Sequence, residues 1–243
     1  HSYENINIYT DHISDENLNN LSLSIQSALK VLKPKGITYM VQFPGWNRLV
    51  FDLKSKFNGN VVFDCMDDHA GFSTNDDSSL KEEIQLIKNS DIVISSSQLL
   101  YDKNIKLNDN TIQVKNGTEF EYFNNSNKNG KLDYLSDKPI IGYYGAISDW
   151  FDMDMVEYCA KQLPDYNFVI IGATFGCDIS NAEKIENIHF LGEIPYKELS
   201  RYFAYFDVCL IPFKIIPLTL ATNPVKFYEY ISAGKPVVSV ELP

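Results

Sequence analysis

The 243-residue chain contains no apolar run long enough to cross a bilayer, so a helical membrane span is not expected. It has only four cysteines, Cys65, Cys159, Cys177 and Cys209, widely scattered and without a Cys-x-x-Cys pair, which argues against a zinc site. Cys65, Cys159 and Cys209 stand in apolar contexts and read as small core residues. Excess basic charge is also lacking. Lys and Arg number 21 against 32 Asp and Glu, a net charge of −11, which disfavours nucleic acid as a partner and strong binding to an anionic membrane. The dinucleotide fingerprint Gly-x-Gly-x-x-Gly is absent, which counts against a Rossmann oxidoreductase. The polar opening residues do not read as a signal peptide, and the expectation is a soluble cytoplasmic protein with reduced thiols.

The residues present alternate between strand-like and helix-like segments. Strands are expected at Ile6–Tyr9, Thr38–Phe43, Val61–Phe63, Asp91–Ser95 and Thr111–Val114, with helices at Glu16–Leu32, Trp46–Lys56, Ser79–Lys88 and Ser97–Lys103. From 124 to 137 the composition turns to Asn, Ser, Lys and Gly, as in a linker. The alternation then restarts, with strands at Pro139–Tyr144, Asn167–Gly172, Ile188–Leu191, Val208–Pro212 and Pro236–Val240. Helices are expected at Asp154–Leu163, Tyr196–Phe203 and Pro224–Ser232. Short apolar strands separated by helices predict an α/β protein with parallel sheets buried on both faces. Two such series give two facing Rossmann-like domains, residues 1–123 and 138–243. Their ligand cleft would lie at the strand C-termini. A start at His1 and an end just after an expected strand suggest that both domains are incomplete.

Four segments carry candidate chemistry. Ile140 to Ile147 is a strand ending at Gly145, where a bare backbone suits a phosphate or tight packing equally. Val169 to Gly172 repeats the pattern, with the Thr174 hydroxyl close behind. Asn187 to Leu199 turns at Gly192 and places Ile194 and Tyr196 where they can pack on a nucleobase; His189 reads as structural. The last segment, Thr222 to Val238, is the most informative. Asn223 is expected as N-cap with Pro224 at the first helical position, and Gly234 as the C-terminal stop before Pro236. Lys226 lies in the first turn, where its charge opposes the helix dipole, so an anionic partner is expected. Glu229 follows one turn on, on the same side, and a carboxylate there can accept both hydroxyls of a ribose. The bland alternative is an ordinary surface Lys–Glu pair. In the first half, Asp67, Asp68 and His69 follow a strand end and are candidates to orient or deprotonate a hydroxyl, or simply to form a turn. Asp152 is expected to cap the helix that follows it.

Pro224-Val225-Lys226-Phe227-Tyr228-Glu229-Tyr230 with Ala233-Gly234-Lys235-Pro236-Val237-Val238 resembles the donor-site signature of GT-B glycosyltransferases, closest to the bacterial group-1 (family 4) enzymes. Phe63 to Asp68, Asp91 to Ser97, Asn116-Gly117 and Gly145 to Asp152 resemble members that make cell-surface polysaccharides. The resemblance implies a nucleotide diphosphate sugar as donor substrate, a glycan or lipid-linked acceptor, retention of configuration, and no metal or other cofactor. It implies work in the cytoplasm, with at most weak peripheral association at the inner face of the membrane. By the same resemblance, Gly145, Gly172, Thr174, Ile194, Tyr196, Thr222, Asn223, Lys226 and Glu229 form the donor site. Glu229 would hold the ribose and Lys226 the diphosphate. Two departures stand out. The family's Glu-x7-Glu has Ala221 at its first position, with Thr222 and Asn223 as substitutes, and Asp149-Trp150-Phe151-Asp152 stands where a basic residue is usual. A nucleotide-sugar epimerase of the same fold and a non-catalytic nucleotide- or glycan-binding module are the alternatives.

Overall fold

A computed structural model describes residues 14–72, 77–125, 127–128, 130–135 and 137–243. The strand expected at Ile6–Tyr9 lies outside the described residues. By its internal contacts the chain forms two compact units, residues 1–115 with 221–223 and 243, and residues 116–220 with 224–242.

The first unit runs α1 (Asp15–Leu32), β1 (Thr38–Val41), α2 (Asn47–Phe57), β2 (Asn60–Cys65), α3 (Asp77–Asn89), β3 (Ile92–Ser95), α4 (Gln98–Asn104) and β4 (Thr111–Gln113). Its four strands are parallel and lie in chain order, β1-β2-β3-β4. Ser14 caps α1 and Ser97 caps α4, each side chain accepting from a backbone amide of the first turn. Burial on both strand faces is not met here. In β2, Val61, Phe63 and Cys65 are fully buried while Val62 and Asp64 are half-buried, because the second face of the sheet is only partly covered by the described residues.

The second unit runs α5 (Phe120–Asn124), β5 (Ile140–Tyr144), α6 (Met153–Gln162), β6 (Asn167–Ile171), β7 (Ile188–Gly192), α7 (Tyr196–Phe203), β8 (Val208–Ile211), α8 (Pro217–Leu220), α9 (Val225–Ser232) and β9 (Val237–Ser239). These five strands are also parallel, ordered β7-β6-β5-β8-β9. Every residue of β6 is buried, as an apolar run in a doubly covered sheet requires. The link from β6 to β7 carries only a 3-10 turn, Ala182–Lys184, in place of a crossover α-helix. Asp152 caps α6 by accepting from the Met155 amide at 3.0 Å, as expected. Leu132 and Leu135, inside the segment whose composition suggests a linker, are buried in this unit's core beside Phe123 of α5. Two well-placed leucines thus tie a polar stretch to the domain that follows it.

An aromatic cluster holds the core of this unit together. Phe203 stacks on Phe123 at 5.4 Å and on Phe206 at 5.7 Å, and meets Tyr230 edge-on at 5.3 Å. Each such pair contributes about 0.5–1.5 kcal/mol beyond the area it buries. Phe203→Ala is therefore expected to lower stability by about 3–5 kcal/mol, read as a lower midpoint in urea denaturation. A midpoint equal to that of the parent chain would show that the cluster is not the keystone of this unit.

Candidate functional site

The strand order of the second unit reverses between β5 and β8, where the chain leaves the sheet toward β6 and β7 on one side and returns to β9 on the other. In open parallel sheets such a reversal opens a crevice at the strand C-termini, the usual place for a ligand. β5 ends at Tyr144 and β8 at Ile211, so Gly145 and Phe213 border this position.

The backbone is drawn in tightly there. Gly145 has φ +138° and Gly172, at the end of β6, has φ +148°, both in the region that favours glycine. A β-carbon on Gly172 would overlap the Gly145 carbonyl, and one on Gly145 would overlap the end of the Lys226 side chain. Gly172 is thus accounted for by backbone packing, and Gly145 by the approach of a lysine amine to the strand end. The Lys226 Nζ lies 5.8 Å from the centre of the Tyr143 ring, 6.0 Å from Tyr144 and 5.7 Å from Phe213, inside the range of cation–π attraction.

Helix α9 brings Lys226 to this point. It starts at Val225, and Pro224 is its cap. The expected cap Asn223 is displaced by one residue because Pro224, with φ −63° and ψ 117°, has an extended backbone. Residues 221–223 group with the first unit, which takes Thr222 and Asn223 with it. The C-terminal stop is as expected. Gly234 takes φ +69°, its amide donates to the Ile231 carbonyl at 3.0 Å and the Lys235 amide to Tyr230 at 3.0 Å, the paired bonds of a Schellman cap. The fully buried Tyr230 fixes the helix to the sheet, its hydroxyl accepting from the Tyr144 amide at 2.9 Å.

Glu229 is only 2% exposed, which removes the surface-pair reading for the carboxylate. Burial pushes its pKa up to about 7, against the opposing pull of Lys226 and of the Tyr196 phenol. Among the described residues its Oε2 has no hydrogen-bond partner, so it is a buried acceptor with capacity left over. Tyr196 opens α7 and stacks on Tyr122 at 5.6 Å. Ile194 packs against the core edge, and Thr174 lies exposed on the loop bridged to Ile147. His189 is structural, its Nε2 paired with the Asn167 side chain at 3.1 Å. Sequence reasoning missed Tyr122 and Phe213. Tyr144 stood inside a quoted segment without a role.

In the first unit, Asp67, Asp68 and His69 follow β2 as expected. Asp68 accepts from Lys103 at 2.8 Å, and the same ammonium lies 3.5 Å from the buried Glu83, so Asp68 is part of an ion cluster. Burial, with the Lys103 charge beside it, holds the His69 pKa down at about 4, leaving a neutral imidazole at neutral pH. His69 meets Phe43 edge-on at 6.3 Å. Among the described residues no group of three or more His, Cys, Asp or Glu is placed to hold a metal.

Residues 125–243 match the family described as glycosyl transferases group 1, and residues 1–116 match the glucosyltransferase 3-like N-terminal domain. Over residues 125–243 the chain belongs to the group-1 glycosyltransferases. TuaH of Bacillus subtilis (strain 168), assigned by name to teichuronic acid biosynthesis as a glycosyltransferase, is 30% identical over 202 residues, which span 75% of this chain and 51% of TuaH. Sucrose-phosphate synthase from Thermosynechococcus elongatus shares the fold with a TM-score of 0.71 and 15% identity, across 95% of this chain and 63% of that one. HepE of Anabaena, solved with UDP and glucose, gives a TM-score of 0.71 and 14% identity, across 93% of this chain and 63% of HepE. The chain therefore spans about half the length of its curated relative and less than two thirds of these structures.

The ion cluster of the first unit has a measurable consequence. Burial raises the Glu83 pKa, and Lys103 opposes that rise. In Lys103→Met the carboxyl is left buried without its cation, at a cost of about 3 kcal/mol, the low end for buried pairs because the lysine is partly exposed. A carboxyl whose folded pKa lies above its unfolded value stabilises the fold while protonated and loses that contribution as pH rises through the folded pKa. Urea denaturation is expected to show a larger loss for Lys103→Met at pH 8 than at pH 5. An equal loss at both values would exclude Glu83 as its source.

Proposed function

We propose that this chain carries the donor site of a glycosyltransferase. The enzyme would move a sugar from a nucleoside diphosphate sugar to a hydroxyl of a glycan or lipid-linked acceptor, in polysaccharide biosynthesis. The observation that carries the reading is a lysine, Lys226, whose side chain lies against the end of β5 at the strand-order reversal, on the same helix as a buried Glu229 whose Oε2 has no hydrogen-bond partner among the described residues. A cation beside bare backbone at Gly145, near the start of α9, suits a diphosphate. A buried carboxylate one turn on suits a ribose diol. The TuaH likeness and the UDP-bound HepE structure support the same substrate class.

In the reaction the acceptor oxygen bonds to the anomeric carbon while the bond from that carbon to the diphosphate oxygen breaks. The electron pair leaves with the diphosphate, where Lys226 and the amides at the start of α9 stabilise the growing charge. The hydroxyl proton passes to a base. The groups proposed to orient the acceptor are Asp67, Asp68 and His69 of the first unit; His69 is a neutral imidazole at neutral pH and Asp68 is paired with Lys103. The proposal needs no metal cofactor, because the lysine and the amides supply the positive potential. Retention of configuration, a hexosyl donor and a place in the cytoplasm at the inner membrane face complete the proposal; they rest on the family. No helix among the described residues is long and apolar enough to cross a membrane.

Calorimetric titration with UDP, GDP and ADP tests the site. One of the three is expected to bind, and Lys226→Ala to weaken it at least about tenfold through loss of a charged hydrogen-bond partner. Affinity for none of them in a folded chain, or equal affinity in the variant, would sink the donor-site reading.

A further inference from the structure

The Lys226 ammonium lies among three aromatic rings, 5.7 Å from the centre of Phe213, 5.8 Å from Tyr143 and 6.0 Å from Tyr144. Tyr143 and Tyr144 are consecutive in β5, so their side chains point to opposite faces of the sheet. An ammonium within reach of both therefore sits past the strand end and over neither face, where the lysine side chain fills the space beside Gly145. Each ring is held from elsewhere. Phe213 follows β8, is 4% exposed and forms an antiparallel bridge with Phe151. Around that bridge the Asp152 amide donates to the Pro212 carbonyl at 2.8 Å and the Lys214 amide to the Trp150 carbonyl at 2.8 Å. Tyr143 is fully buried and meets Phe151 edge-on at 4.8 Å, and its hydroxyl donates to the Ala146 carbonyl at 2.9 Å. Tyr144 packs on Phe203 at 5.7 Å. Phe151 thus braces two of the three rings.

A lysine drawn in this far loses hydration and much of its rotamer freedom, and aliphatic neighbours would compensate neither. Ring faces attract the charge itself. We propose that Phe213, together with Tyr143 and Tyr144, is a positioning residue for Lys226: the rings hold the ammonium at the Gly145 backbone before a ligand arrives and keep it there when a diphosphate binds. This rests on the donor-site reading above and goes past it, because a diphosphate site needs only a lysine within reach. A lysine already held in place meets the anion with its side chain ordered in advance, and binding no longer bears that cost.

Phe213 also belongs to the hydrophobic core, so its hold on the charge has to be separated from its packing. Fluorine on a phenyl ring draws electron density from the ring face. That weakens the attraction for a cation while leaving shape and apolar character nearly unchanged. A lost packing contact would not follow the number of fluorines; a weakened hold on the ammonium would. Ring faces also move the resonances of nearby hydrogens upfield, so the Lys226 ε-methylene reports whether the side chain stays between them.

The experiment is calorimetry of the whole chain with UDP, GDP and ADP. It compares the parent, chains with Phe213 replaced by its mono-, di- and trifluoro derivatives, Lys226→Met, and Lys226→Met combined with the trifluoro ring, with thermal melts confirming that each is folded. Carbon-13 NMR of labelled lysine follows the Lys226 ε-methylene, assigned by its loss in Lys226→Met. Affinity for the nucleotide that binds is expected to fall stepwise with each fluorine, by about fivefold at three, the worth of one ring face on a partly desolvated cation. In the Lys226→Met background the same ring should change affinity by less than about twofold, because it acts through the ammonium. The ε-methylene is expected upfield without ligand and to remain upfield with it. If the fluorine series leaves affinity flat while Lys226→Met still loses it, the inference falls and the donor site stands. If the fluorines weaken binding equally with and without the lysine, the ring acts through packing and the inference is overturned. An ε-methylene at the shift of an exposed lysine, or moving there on binding, overturns it as well. If the parent binds no nucleotide, both readings fall.

Discussion

Two consecutive strand ends in the second unit leave no room for a β-carbon, and the candidate site depends on that constraint. The Gly145 carbonyl occupies the space a side chain on Gly172 would need, and the Lys226 side chain occupies the corresponding space at Gly145. Three layers are therefore stacked at backbone distance: the β6 turn, the β5 turn and a lysine delivered by α9. Both glycines adopt positive φ, where any other residue would be strained as well as crowded. The lysine gains from the arrangement, since the rings of Tyr143, Tyr144 and Phe213 surround its ammonium with negative aromatic faces. Its position at the start of a helix is electrostatically unfavourable, and the aromatic surround offsets part of that cost.

The same constraint explains why α9 must be pinned so firmly. A helix of eight residues has little stability of its own, so its placement has to come from contacts outside it. Tyr230 supplies one, through a hydroxyl bonded to the Tyr144 amide just before Gly145. The Schellman cap at Gly234 supplies another, by closing the last carbonyls before the chain enters β9. Strand order then decides where all of this happens. Because β5 is flanked by β6 on one side and β8 on the other, the loops after β5 and β8 part company, and Lys226 lies against the end of β5 there.

Much of this was legible in the sequence wherever the signal was local. The α9 segment could be read from a lysine, a glutamate and a glycine at helical spacing, and its C-terminus came out as expected. Its cap did not, because the fixed φ of Pro224 fits a helix while its ψ does not, and sequence shows only the first. The segment from 124 to 137 reads as linker by composition, yet Leu132 and Leu135 bury themselves in the second unit's core. Composition averages over a window, and two leucines are enough to tie that window down. The partners of Tyr196 were beyond reach for a different reason. Tyr122 stands 74 residues earlier, and nothing near either tyrosine announces the other. Likewise Asp68 reads as a free carboxylate until Lys103 and Glu83, each distant in the chain, are seen beside it.

Glu229 shows how burial and function pull against each other in this fold. A carboxyl sunk among Tyr144, Tyr196 and Tyr230 resists ionisation, and only Lys226 and one phenol work to keep its charge. A purely structural position would be better filled by an apolar side chain or a glutamine, since an unpartnered buried oxygen costs stability of about 1–3 kcal/mol. The sequence keeps the acid and places Tyr144, Tyr196 and Tyr230 within its electrostatic reach. Their own pKa values are pushed up by burial, so they remain neutral hydrogen-bonding groups at neutral pH. Such a carboxylate is expensive to hold and inexpensive to satisfy. On the proposed donor-site reading, a pair of hydroxyls arriving from outside would give Oε2 a partner, and the cost already met in folding would become a difference in affinity between ligands that have those hydroxyls and ligands that do not.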